Sequence, residues 1–288
     1  MKKILITGSK GQLGSELSAA REAIISGDIY FTDIDEVDLA NAKQVQDLIY
    51  DIKPDYLINC AAYTAVDRAE SDIENAYKVN SKAVKNIADA APLSPRMKFI
   101  HMSTDFVFRG KRNSPYEENA DPDPVSVYGK SKRQGELYAL TYPLTAVIRT
   151  SWLYSEYGGN FVKTILRLAG EKEEIKVVND QIGTPTWAAD LASAIISILN
   201  ITDEGEEYFV PGIYHYSNSG SCSWYDFARE IKNIKDLDIK IVPVSTAEFP
   251  LPAKRPQYSV LNLDKIKKTY RLAIPGWQES LMKCLNRL

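Results

Sequence analysis

Tyr128 and Lys132 lie four residues apart in a stretch, Val127 to Thr141, whose pattern predicts a helix, so both side chains share one face. A phenol titrates near about pH 10 and is a poor acid–base group at neutral pH. A nearby ammonium favours the phenolate and lowers that pKa, which makes the pair a proton relay. Tyr-x-x-x-Lys alone is common; two other segments give it meaning. Ser103-Thr104-Asp105 ends a predicted strand and offers the Thr104 hydroxyl to a substrate carbonyl. Gly8-Ser9-Lys10-Gly11-Gln12-Leu13-Gly14 follows the first predicted strand and opens a helix. Its glycines permit a tight turn and close approach of a pyrophosphate, and the helix N-terminus supplies free N–H groups. The spacing is GxxGxxG, not the usual GxGxxG. Together the three segments describe a hydride-transfer site.

The cofactor signals conflict. Asp33 ends the second predicted strand and suits an adenosine ribose hydroxyl, which favours NADH. Lys10, in the glycine loop, can pair with a 2′-phosphate, which favours NADPH. We expect NADPH to be preferred and NADH tolerated. Asp38 and Leu39 lie in the next loop, where adenine contacts or a plain turn fit equally. Ala61, Ala62, Tyr63 and Thr64 follow the third strand, where small residues let a cofactor cross the sheet edge. Arg255 sits in Pro250-Leu251-Pro252-Ala253-Lys254-Arg255-Pro256, and its fork suits a diphosphate.

These residues need a scaffold. Strands are predicted at Lys3–Thr7, Ile29–Thr32, Tyr56–Ile58, Lys98–Met102 and Thr145–Arg149. Helical stretches alternate with them: Gln12–Ile25, Val45–Ile52, Ile73–Ala91 and Val127–Thr141. Such βαβ alternation implies an α/β fold, a Rossmann-type doubly wound parallel sheet. After Arg149 the rhythm changes. Residues 1–150 read as a dinucleotide-binding domain and 151–288 mainly as a smaller α/β substrate-binding lobe, with the helix near 187–199 returning to the sheet. Tyr214–Tyr216 is placed in that lobe. Trp187, Trp224 and Trp277 read as core aromatics, and His101 and His215 as structural.

Composition excludes other classes. The chain has 288 residues, and 35 basic against 38 acidic side chains give −3, unsuited to binding nucleic acid by bulk charge. No run approaches the ~18 apolar residues of a membrane span. Three cysteines without CxxC spacing fit a reducing cytoplasm, and only two histidines argue against metal catalysis. No metal is predicted.

At these residues the sequence resembles the extended short-chain dehydrogenase/reductases and, within them, the dTDP-4-dehydrorhamnose reductase family. The resemblance rests on Thr7–Gly14, Ala61-Ala62-Tyr63-Thr64-Ala65-Val66-Asp67, Ser103–Phe108, Tyr128-Gly129-x-x-Lys132, Arg149–Tyr154 and Asn179-Asp180-Gln181 with Gly183–Thr186. Arg255-Pro256 extends it. It implies reduction of a 4-keto dTDP-sugar with NAD(P)H, in the cytoplasm, by a chain that can form a homodimer. It places Tyr128 as proton donor, Lys132 as its partner at the nicotinamide ribose, and Gly11, Gln12 and Leu13 at the pyrophosphate. Thr104 and Asp105 fall at the sugar contact and Trp152 at an aromatic against the substrate. Phe106 and Gln257-Tyr258 depart from the family pattern. Some relatives are magnesium-linked dimers; Glu16 matches one of their carboxylates, and the others are not placed. Another sugar-nucleotide epimerase or dehydratase stays open, as does a non-catalytic methionine adenosyltransferase regulatory subunit. The intact Tyr128–Lys132 pair argues against the last.

Overall fold

The computed structural model describes residues 2–24, 27–203, 205 and 208–288. Its first half alternates strand and helix: β1 (Lys3–Thr7), α1 (Gln12–Ala19), β2 (Asp28–Thr32), α2 (Ala42–Ile52), β3 (Tyr56–Asn59), α3 (Val66–Ala69), α4 (Ile73–Tyr77), α5 (Ala83–Ala90), β4 (Lys98–Thr104), α6 (Val127–Ala139) and β5 (Thr145–Thr150). The helix expected over Gln12–Ile25 ends at Ala19, with a 3₁₀ turn at Arg21–Ala23; Ile25 lies outside the described residues. The helix expected over Ile73–Ala91 carries a π turn at Lys78–Lys82 between α4 and α5.

Residues of β1 alternate between two helical layers. Ile4 and Ile6 pack with Leu13, Leu17 and Leu191, and Leu5 packs with Val45, Ile49 and Ile87. A sheet covered on both faces is largely apolar, and every residue of β4 is buried, including the polar Lys98, His101, Ser103 and Thr104.

The second half runs β6 (Leu153–Tyr154), α7 (Phe161–Glu171), β7 (Glu174–Val178), β8 (Ile182–Gly183), β9 (Thr186–Trp187), α8 (Ala188–Asp203), β10 (Gly212–His215), β11 (Cys222–Ser223), α9 (Trp224–Lys235), β12 (Lys240–Val244), α10 (Asp264–Tyr270) and α11 (Trp277–Leu285). Helix α8 packs on the sheet beside α1. Strand β10 pairs with β5, so the segment expected in the second lobe completes the main sheet. The order is β10-β5-β4-β3-β1-β2, all parallel. The winding reverses between β1 and β3. A crevice opens there at the carboxyl ends of the strands, where such sheets bind ligands. A separate core joins α7, α9 and α11 around Phe227, Trp277 and Leu281.

Candidate active site

A cavity of about 810 Å³ occupies that crevice and meets the ends of β1, β2, β3 and β4, helix α6 and the second half. Its floor is built by glycine. Gly8 has φ +69°, and an added Cβ would lie 2.5 Å from the Ala61 nitrogen. A Cβ on Gly14 would lie 2.3 Å from the Gly8 carbonyl oxygen, so Gly14 lets α1 start hard against the loop. Gly14 thus packs beneath the loop, while Gly8, Gly11, Gln12 and Leu13 line the cavity. Gly11 caps α1 without a side-chain bond, which leaves the helix N-terminus to an anion. The Thr32 hydroxyl is buried without a partner, and Thr32 lines the same wall. These features fit a dinucleotide.

Asp33 also lines the cavity. Its carboxylate accepts the Lys10 and Ile34 backbone N–H groups, each at 2.8 Å, and so is engaged in holding the loop. Lys10 differs from the expectation. Its ammonium bonds Asp35 at 2.5 Å, and the residue does not line the cavity. The acidic loop after β2 draws it there, in an exposed pair. Asp38 and Leu39, in the loop after β2, also line the cavity. Burial favours neutral Asp38, but the Ala40 N–H and Lys78 outweigh it and hold the carboxyl below its ordinary range.

Ala61, Ala62, Tyr63 and Thr64 form the wall after β3. Tyr63 is fixed by Asn80, which accepts its N–H at 2.8 Å and donates to its carbonyl and to the Ser131 hydroxyl at 3.0 Å. Asn80 lies in the π turn, a local distortion of the kind that clusters at functional sites. No sequence signal had marked it.

Ser126 caps α6 by accepting the Gly129 N–H at 3.1 Å, and Glu70 accepts the Val127 N–H at 2.8 Å. The helix presents Tyr128 and Lys132 to the cavity beside Thr104 and Asp105. A Cβ on Gly129 would lie 2.3 Å from the Phe106 carbonyl oxygen, so glycine lets α6 press on the end of β4. Tyr128 meets Phe106 edge-on, ring centroids 5.5 Å apart.

The electrostatics correct one expectation. Tyr128 is not lowered: burial pushes it up to about 12, opposed by a Thr104 hydrogen bond. Lys132 is aimed elsewhere, donating to the Met102 carbonyl at 2.6 Å. Burial pushes Lys132 down to about 8, opposed by Glu136 and Cys60. Tyr128 is therefore a neutral phenol that carries its proton at neutral pH. Thr104 donates to Asp105 at 3.1 Å. Burial pushes Asp105 up to about 6, and its second oxygen has no partner.

On the opposite wall, Trp152 has φ +45° and stacks on Trp224 at 3.6 Å and 10°. A Cβ on Gly183 would lie 2.5 Å from the Trp152 ring, so glycine admits the indole. Trp224 lines the cavity, against the expectation of a core aromatic; its partner is 72 positions away, beyond any spacing rule. Trp187 and Trp277 are core residues. His101 and His215 are fully buried in β4 and β10. Arg255 lines the cavity, but its fork is engaged: it donates to both Asp67 oxygens at 2.9 and 2.6 Å. Asp67 also accepts the Ala253 N–H at 3.1 Å, so one carboxylate clamps the Pro-rich loop to the segment after β3. Glu16 lies away from the cavity wall, where it accepts from Ser155 at 2.7 Å near Glu156 and Arg287. Burial pushes Glu16 up to about 7.

The family model described as RmlD substrate binding domain matches residues 1–288. A dTDP-4-dehydrorhamnose reductase of Aggregatibacter actinomycetemcomitans is 41% identical, over 98% of this chain and 97% of its own. A probable dTDP-4,6-dihydroxy-2-methyloxan-3-one 4-ketoreductase of Streptomyces antibioticus is 39% identical, over 96% and 92%. The crystal structure of dTDP-4-dehydrorhamnose reductase from Bacillus anthracis, in complex with NADP, superposes with a TM-score of 0.93 at 40% identity and covers 100% of both chains. Similarity over the full length, together with the cavity at the sheet's switch point, makes this chain a member of the RmlD substrate binding domain family.

Proposed function

We propose that this chain is an NADPH-dependent oxidoreductase that reduces the 4-keto group of dTDP-4-dehydro-L-rhamnose to give dTDP-L-rhamnose. The carrying observation is that Thr104, Tyr128 and Lys132 line one cavity with the glycine loop, with Tyr128 in its proton-bearing form. The family's reductases and the NADP held by a relative of 40% identity support the same reading.

Bound NADPH supplies the hydride; the chain's residues orient the sugar and manage the proton. Tyr128 gives its proton to the carbonyl oxygen as negative charge develops, and Thr104 donates a hydrogen bond to that oxygen. Lys132 holds positive charge near the phenolate left behind. Gly8, Gly11, Gln12 and Leu13 seat the pyrophosphate, and Asp38, Leu39 and Ala61 to Thr64 flank the adenosine side. The Trp152–Trp224 stack gives the sugar a flat apolar wall. Arg255 faces the diphosphate from the clamped loop, and Asp105 holds a sugar hydroxyl.

The test is NADPH consumption with a panel of dTDP-sugars: dTDP-4-dehydro-L-rhamnose, the 4-keto substrate of the Streptomyces relative, and dTDP-glucose. Turnover with the first, well above the second, and none with the third is expected. Preference for the second reassigns the substrate; consumption of none removes the reductase reading.

A further inference from the structure

We propose that Glu136 is a positioning residue, a buried anion that sets helix α6 on the sheet and holds Lys132 as a cation. The proposal rests on the reductase reading above and adds a residue that the reaction itself does not use.

The geometry comes from two repeats. Tyr128, Lys132 and Glu136 recur every four residues, so they form one stripe along α6. Three consecutive residues at the end of β4 each meet one of them. Thr104 lies beside Tyr128 on the cavity wall. The Met102 carbonyl accepts from Lys132 at 2.6 Å. Ser103 donates to Glu136 at 2.6 Å. The third contact is the one that reaches farther into the sheet. Arg149 is the register partner of Ser103 on β5, and His215 that of Arg149 on β10. Arg149 grips Glu136 with both arms, at 2.7 and 2.9 Å, and its other nitrogen lies 3.4 Å from His215. Arg133 adds a fourth donor at 2.8 Å. Glu136 thus ties the catalytic helix to β4 and β5 at the level of Thr104.

The pair lies deep: Glu136 and Arg149 are both 0% exposed. Apolar residues often replace such buried pairs with no loss of stability, so packing alone gives no reason for a charge here. Its electrostatic surroundings supply one. The titratable groups around Lys132 are Cys60 after β3, His101 on β4, and Tyr128 and Glu136 on α6. Burial keeps Cys60 a neutral thiol, up to about 12, and His101 a neutral imidazole. Tyr128 keeps its proton. Glu136 is the remaining anion acting on Lys132 among the described residues, and it works against the burial that strips the ammonium of its proton. Without that charge, Lys132 would face burial and the unpaired Arg149 cation together.

The experiment is the pH dependence of kcat for wild type, Glu136→Gln and Glu136→Asp, with NADPH and the sugar nucleotide saturating. Activity needs charged Lys132, so its loss appears as the alkaline limb. Glu136→Gln should move that limb down by about one pH unit or more, and Glu136→Asp, which keeps the charge, by a few tenths at most. KM for the sugar nucleotide should stay within about threefold in both, because neither variant removes a substrate contact. A Glu136→Gln limb that coincides with wild type overturns the proposal, whatever its kcat or melting temperature, because a structural role predicts loss without displacement. If Glu136→Gln is not recovered folded, Ser103→Ala decides, since it removes one tether and no charge. A kcat lower by about fivefold or more at unchanged NADPH affinity is then expected, and an unchanged kcat overturns the proposal. Wild type without turnover would instead remove the reductase reading, so the two failures are distinct.

Discussion

A phenol buried to a pKa of about 12 keeps its proton across the neutral range and can release it only as charge develops on a nearby oxygen. Replacing Tyr128 with Phe keeps the ring and its edge contact with Phe106 and removes the donor. We expect kcat to fall about 10²–10⁴-fold, with NADPH affinity little changed, measured by steady-state kinetics and fluorescence titration. Activity within about threefold of wild type would move the proton to another group. At cofactor selection, Asp33 is occupied by two backbone N–H groups, that of Lys10 in the glycine loop and that of Ile34 beside it, which weakens its claim on a ribose hydroxyl. Lys10 is held by an exposed pair with Asp35, and such pairs yield readily to a stronger anion. Lys10→Ala should lower kcat/KM for NADPH about tenfold and hardly change it for NADH. Equal losses would show that Lys10 does not read the 2′-phosphate. Tyr128, Lys132 and the glycine loop were legible in the sequence because local spacing fixes their geometry, and Thr104 because it ends a predicted strand. Glu136 and Trp224 were not, because their partners lie 13 and 72 positions away. Only the folded sheet brings Arg149 under α6, and only the second half brings Trp224 onto Trp152.

Among the elements, the five strands of the first half and the helices over α1, α2, α5 and α6 followed from period and punctuation, while the distortions, the short α3 and α10 and the two-residue strands of the second half did not. The stretch from Ile73 to Ala90 has a helix's apolar spacing throughout, yet it carries a π turn at Lys78–Lys82. That turn sets Asn80 against Tyr63 and Ser131, a demand of tertiary packing that periodicity does not record. The Pro-rich loop shows a similar limit. Its prolines marked it as irregular, and Arg255 as a cation, but the Asp67 clamp was invisible because 188 positions separate the two residues. The clamp makes a prediction about the loop as a unit. Arg255→Ala and Asp67→Ala should each raise KM for the sugar nucleotide about tenfold, with NADPH binding unchanged, and the double variant should be worse than either by no more than about threefold. Additive losses in the cycle would mean that Arg255 binds the diphosphate independently of the clamp.

In the whole molecule, the cavity belongs to both halves of the chain. Asn160 donates to Gln12 at 3.0 Å and Ser155 to Glu16 at 2.7 Å, so the loop after β6 is tied to α1 beside the glycine loop. A ligand that bridges this junction should stabilise the whole fold. NADPH at about 100 times its Kd adds roughly 2.7 kcal/mol, which for a chain of this size should raise Tm by about 4–5 °C in a thermal shift assay. A shift below about 1 °C would indicate that the cavity does not hold the cofactor as described. The doubly wound sheet was legible from strand–helix alternation. The return of β10 to its edge was not, because four short residues carry no mark of which sheet they join. The central claim is transfer of hydride from NADPH to C4 of a dTDP-linked 4-keto sugar. It is tested most directly by incubating the enzyme with NADPH deuterated at the nicotinamide C4 and dTDP-4-dehydro-L-rhamnose, then locating the label by NMR. Stoichiometric NADP formation and deuterium at C4 of dTDP-L-rhamnose are expected. Rearrangement of the sugar without net consumption of NADPH, as in an epimerase, or deuterium at any other carbon, would contradict it.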